Sequence, residues 1–195
     1  LTFEVDGKSY VNERAIVTQQ TGWWFVGQCR SDLPRNLGGL YWFGVDDAGT
    51  SALIPIYSVS QRVPHCLEVG NGSMLEYSET SLFWIFNRVA QFAYLRYNEI
   101  GAEVRGVVDA WENSMVEKTA LADRVAAELY KESPEAAREY LTDFSVQTAQ
   151  ALLEKWVGLD KYLMVKYIDG NTKRQHPYGS FAENKNDAHI PAPPI

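Results

Sequence analysis

The chain predicts an α+β fold in which helices lie on one face of a mainly antiparallel sheet. Three observations lead there. Strand-length apolar runs crowd the first sixty residues, short polar linkers separate them, and helical periodicity takes over from about residue 81.

The strand runs are RAIVTQQ (14–20), WWFVGQC (23–29), GLYWFGV (39–45) and ALIPIYS (52–58). Each is rich in β-branched and aromatic residues and is bounded by Gly, Asp, Asn or Pro. Short linkers favour antiparallel neighbours. In GLYWFGV, Tyr41, Phe43 and Val45 point one way and Leu40 and Trp42 the other, so the sheet is apolar on both faces and calls for a cover on each. Pro55 donates no ladder hydrogen bond and assigns its strand to an edge or a bulge.

From Ser81 onward, Leu82, Phe86, Val89, Ala93, Tyr97, Ile100, Val104, Val107 and Trp111 recur at steps of three and four, the stripe of one long helix. Ser78 or Thr80 is the expected cap, and Gly101 and Gly106 are the expected bends. A second helix is expected over about 116–131. Ser133 followed by Pro134 signals a third helix start, running to about Val157 with a break near Asp143. KYLMVKYIDG (161–170) reads as a final strand, about 161–168, and a turn. The reading is therefore one domain over 1–170 and an extended, polar and Pro-rich tail over 171–195. No strand run remains to cover the second sheet face, so a partner layer is expected from sequence outside the chain.

The 195 residues suffice for one core, and 46% hydrophobic content marks a globular chain. The net charge of −7, with no basic cluster, argues against a nucleic-acid partner. No apolar run has the length of a membrane span. Leu1 in place of a start methionine leads to the expectation of a fragment or processed subunit. Cys29 and Cys66 are too few for a disulfide scaffold, and the compartment, cytoplasmic or exported, is left open.

Each chemical candidate competes with a plainer reading. Asp46 and Asp47 in DDAGTS sit where a strand run stops, and Asp and Gly are turn residues, so the turn is favoured over an acid pair. Cys66 follows His65, but sequence neighbours rarely form a dyad, and Cys29 reads as core. His65, His176 and His189 lack metal-site spacing, and neither metal nor cofactor is expected. GNGS (70–73) is a turn whose Asn71 also offers an amide to an oxyanion. SETSLFW (78–84) is a helix start whose hydroxyls and free amides suit a substrate carboxylate.

The segments ERAIVTQQTGWWFVGQCRSDLP (13–34), GGLYWFGVDDAGTSALIPIY (38–57), GNG (70–72) and SLFWIFNRVAQFAYLRY (81–97) resemble the C-terminal half of the dipeptidases of the N-terminal-nucleophile hydrolase superfamily. The W-F-G-x-D-D and F-W-x-F-N-x-V-x-x-F-A-Y-x-R-Y blocks are long and specific. The match runs from about Asn12 to Tyr97 and continues weakly to KYIDG. The resemblance implies half of a four-layer αββα sandwich. It also implies an N-terminal cysteine nucleophile whose own α-amino group is the general base. Neither Cys29 nor Cys66 stands at an N-terminus, so no catalytic nucleophile is expected in this chain, and the isolated chain is expected to be inactive. Position assigns Asn71 as oxyanion donor and Ser78, Ser81, Trp84 and Asn87 to the substrate end. The expected partners are a dipeptide, the missing N-terminal part and a second copy in a homo-oligomer. The competing expectation is a non-catalytic interaction domain that docks a partner through an apolar sheet face.

Overall fold

The computed structural model describes residues 2–11 and 16–173. A hairpin opens the chain, with β1 (Thr2–Val5) and β2 (Lys8–Val11) antiparallel and Val5 opposite Lys8. Its two-residue turn is Asp6-Gly7, with φ of 51° and 72°. The twist of the strands requires positive φ at both positions, which this dipeptide tolerates. Sequence reasoning missed this hairpin although the Asp-Gly signal was there to find it.

The main sheet has β3 (Trp23–Cys29), β4 (Gly39–Val45) and β5 (Ile54–Tyr57) in sequence order, all antiparallel. Phe25 faces Phe43, Val26 faces Trp42, and Trp42 faces Pro55. Pro55 thus lies on edge strand β5. The expected strand over 14–20 is corrected for residues 16–20, residues 14 and 15 lying outside the described range. There Thr18 accepts the Gln20 amide on its hydroxyl and the Thr21 amide on its carbonyl, so the backbone turns instead of extending.

Three helices follow: α1 (Leu82–Leu95), α2 (Tyr97–Glu132) and α3 (Pro134–Tyr167). The single helix expected through Trp111 is divided at Arg96, which has φ −146° and ψ 60°, and not bent at a glycine. Its guanidinium pairs with Glu99 and donates to Gly170 O, tying the break to the segment after α3. The apolar period survives the break because Phe86, Val89, Ile100 and Val104 enter one core. The helix expected over 116–131 is the second half of α2. Ser133 caps α3 as expected, its Oγ accepting the Ala136 amide at 3.1 Å with Pro134 in the first turn.

Two expectations for the C-terminal part are corrected. α3 is unbroken at Asp143, and residues 161–167 are its last turns, not a strand. The strand-length apolar run in KYLMVKY is outweighed by a helical period. Leu159, Leu163 and Tyr167 are buried in the core with Trp156. Tyr167 and Lys166 both donate to Glu103 Oε1 of α2. Burial pushes Glu103 up, but these bonds outweigh it and hold the carboxyl below its ordinary range. The tail from residue 174 on lies outside the described residues.

The helices cover one face of the sheet. Leu40 and Tyr57 join Ala122, Ala126 and Leu141 in a core cluster, and Trp42 packs alongside. Ser145 of α3 accepts the Tyr57 amide at 3.1 Å, so a helix side chain serves edge strand β5 as a neighbouring strand would. On the other face Trp23 stacks on Phe25 and Phe43, and Phe25 meets Tyr41 edge-on. At its far end Val45 and Ile54 are buried against α1, but no described element covers the β3 side of this face, where Trp23, Phe25 and Tyr41 are 61%, 49% and 47% exposed. Cys29, expected in the core, is exposed, a correction that follows from its place at the end of edge strand β3.

Candidate functional site

The turn after β4 places two carboxylates against α1. Asp46 adopts φ 62°, a left-handed conformation that Asp tolerates better than most residues. Its amide donates to Gly22 O at 3.0 Å, which closes the end of the β3–β4 ladder. The left-handed step lets both neighbours reach α1, where fully extended neighbours would point apart. Asn87 Nδ2 donates to Asp46 Oδ1 at 3.0 Å, and Tyr94 OH donates to Asp47 Oδ2 at 2.6 Å. Asn87 and Tyr94 are seven residues apart, two turns along one face of α1.

The two carboxylates differ. Asp47 is spent on the turn, with its Oδ1 accepting the Gly49 amide and its carbonyl accepting those of Thr50 and Ser51. Asp46 is 1% exposed and makes no ion pair among the described residues, and its Oδ2 is buried without a partner. Burial pushes its carboxyl up to about 6, against the lowering effect of the Asn87 bond and the Asp47 amide, while the Asp47 charge adds to the rise. It is thus ionised near neutrality and proton-bearing in mild acid. Tyr94 is pushed above the ordinary phenol range, first by burial and then by Asp47.

The wall beside this turn is packed too closely for a larger residue at position 44. The Trp24 indole donates to Ser51 Oγ at 3.0 Å and crosses Gly44, where a Cβ would stand 2.6 Å from Nε1. On the open sheet face a groove of about 570 Å³ is lined by Trp23, Tyr41, Phe43, Ile56, Leu67 and Phe83, with Ser60 and Arg62 also on its wall. Phe83 brings the first turn of α1 to its edge.

The loop before α1 is held by Asn71. Its Nδ2 donates to His65 O at 2.9 Å and to Thr80 O at 3.1 Å, and its Oδ1 accepts from the Ser78 and Thr80 hydroxyls at 2.6 and 2.9 Å. Both amide hydrogens are engaged, so an oxyanion role for Asn71 requires one of these bonds to open. Ser78 belongs to the same network. Ser81 is the buried N-cap residue of α1. Its carbonyl accepts the Ile85 amide, its side chain caps nothing, and the amides of Leu82, Phe83 and Trp84 precede the first intrahelical bond. Trp84 donates to Ser73 O at 3.1 Å and packs edge-on against Tyr77 and Phe83. The structure therefore joins Asn71 with Ser78, ties Trp84 to the same loop, and sets Asn87 apart with Asp46. Sequence reasoning passed over the Asp46 contact, because pairing across 41 positions has no local signal.

The cysteines make no nucleophilic pair. Cys66 is buried in the core and burial pushes its thiol up to about 11. His65 bonds Glu68 through Nδ1 at 2.8 Å, and no hydrogen bond joins it to Cys66. Among the described residues no group of three or more His, Cys, Asp or Glu is placed to hold a metal ion. His176 and His189 lie outside the described residues. No described helix is long and apolar enough to cross a membrane.

Against known protein families, the model described as peptidase family C69 matches residues 4–110, more than half of the chain. A comparison with curated proteins finds no match.

Proposed function

Because the chain belongs to peptidase family C69, a family of peptide hydrolases, we propose that it is the C-terminal part of a dipeptidase whose nucleophile is an N-terminal cysteine in sequence preceding these residues. The observation that carries the reading is the bare aromatic patch of the sheet around Trp23, Phe25 and Tyr41, opposite the face on which the helices pack. Exposed apolar patches of this kind mark interfaces, and a second sheet with its own helices completes an αββα sandwich around it. The state of the cysteines supports the reading: Cys66 is buried with a raised thiol, and neither Cys29 nor Cys66 carries a free α-amino group.

In this mechanism the upstream thiol adds to the dipeptide carbonyl and passes its proton to its own α-amine. The C–N bond then breaks, the leaving amine takes a proton, and water hydrolyses the thioester. The present chain supplies the substrate wall. The unbonded amides in the first turn of α1, beside Ser78, Ser81 and Trp84, suit a substrate carboxylate. Asn87 binds farther along the same helix. Asn71 serves the oxyanion only after one of its loop bonds opens. A non-catalytic docking domain needs the same bare face but is not favoured by membership in a hydrolase family.

The test is dipeptide release by the chain alone and by the chain joined to its upstream sequence. The joined protein is expected to hydrolyse dipeptides and to lose that activity when the upstream cysteine is replaced by Ala. The chain alone is expected to be inactive. Turnover by the chain alone that disappears in Cys29→Ala or Cys66→Ala would falsify the proposal.

A further inference from the structure

We propose that Asp46 and Asn87 together read the free α-ammonium group of the substrate, which makes this pair the determinant that selects unblocked dipeptides over N-acylated ones. The inference rests on the dipeptidase reading above and assigns a specificity to one part of that site.

A carboxylate only accepts, so the bond to Asp46 Oδ1 fixes which end of the Asn87 carboxamide faces it: Nδ2 is taken, and Oδ1 points elsewhere. Among the described residues Asn87 Oδ1 accepts no hydrogen bond, and the side chain is only half-buried. The site thus presents an acceptor, and a donor group is what it can bind. Behind it stands Asp46, buried and, among the described residues, without an ion pair and with Oδ2 unpartnered. A buried carboxylate without a counter-ion is costly, and a cation drawn to the neighbouring acceptor offsets that cost. A neutral N-acyl amide offers one N–H and no charge, whereas an ammonium offers both donors and charge.

Spacing along α1 fits the same ligand. Asn87 lies four residues beyond Phe83, about 6 Å along the helix axis. Two extended residues span about 7 Å. A dipeptide therefore reaches from the open amides of the first turn to the Asn87 acceptor, carboxylate at one end and ammonium at the other.

The experiment uses the chain joined to its upstream sequence, with Ala-Ala and N-acetyl-Ala-Ala as probes. The unsubstituted enzyme is expected to favour Ala-Ala at least about a hundredfold in kcat/KM. Asp46→Asn and Asn87→Leu are each expected to raise KM for Ala-Ala about tenfold and to lower the preference for Ala-Ala over N-acetyl-Ala-Ala by a similar factor. The exchange of both residues, Asp46→Asn with Asn87→Asp, keeps one amide and one carboxylate in contact and is expected to recover most of the preference. Should Asp46→Asn fail to fold, Asn87→Leu at its half-exposed helix position carries the test. Unchanged KM for Ala-Ala in the folded variants overturns the proposal, as does an equal loss of kcat on both probes. If the unsubstituted enzyme cleaves both probes alike, the inference fails and the hydrolase reading stands. If it cleaves neither, the dipeptidase reading fails first and takes the inference with it.

Discussion

Asn87 Nδ2 lies 3.0 Å from Asp46 Oδ1, joining the fourth strand's turn to the first long helix across 41 positions of sequence. The contact settles what the Asp-Asp doublet does. Asp47 organises the turn with its own backbone and anchors it to Tyr94. Asp46, in a left-handed conformation, turns a carboxylate inward and leaves one oxygen without a partner among the described residues.

A pH dependence of stability follows. The Asp46 carboxyl is raised from 3.8 to about 6 in the folded chain, so between those values the folded state binds more protons than the unfolded one. Asp46 therefore adds stability as pH falls from about 6 towards 4, and loses that contribution as pH rises through 6. That difference corresponds to about 3 kcal/mol at most. Denaturant melts between pH 4 and 7 are expected to lose this component in Asp46→Asn. An identical pH slope in that variant would contradict the assignment.

Phe86 is fully buried, its ring centroid 4.7 Å from that of Trp156. Truncation to Ala leaves a cavity between α1 and α3 and is expected to cost about 3–5 kcal/mol. Chemical denaturation of Phe86→Ala measures it. A loss near zero would mean that the helical stripe packs on another face.

Arg30 and Asp123 form an ion pair of 2.6 Å whose side chains are 11% and 16% exposed, and Tyr57 OH donates to the same carboxylate at 2.6 Å. Burial first, then Asp123, pushes the Tyr57 phenol above its ordinary range. Asp123→Ala strands a buried guanidinium and is expected to cost about 3–5 kcal/mol, whereas replacing both Arg30 and Asp123 by apolar residues is expected to cost less. Additive losses in the double variant would count against a coupled pair.

The bare sheet face predicts self-association of the isolated chain. Sedimentation is expected to show dimers or larger species, and Phe25→Lys is expected to shift the chain towards monomer with little loss of stability, because Phe25 is half-exposed. A monomer at high concentration without substitution would refute this.

The sequence by itself determined the fold class and the order of main-sheet strands before helices. Aromatic, β-branched runs and three- to four-residue steps are local patterns, so β3, β4, β5 and the helical stripe were legible, as was the Ser133-Pro134 start of α3. The Asp6-Gly7 hairpin was equally legible and passed over. Tertiary structure decided what local pattern leaves open. KYLMVKY holds an apolar run of strand length, but burying Leu163 and Tyr167 in the helical core keeps it helical. Arg96 looks like any helical residue until its guanidinium meets Gly170. Asn71 and Asn87 are the same residue type near the same helix, yet one is saturated by its own loop and the other, among the described residues, keeps an unbonded acceptor beside a buried carboxylate. The physical reason is that hydrogen-bond saturation and burial depend on residues tens of positions away, and only folding brings those together.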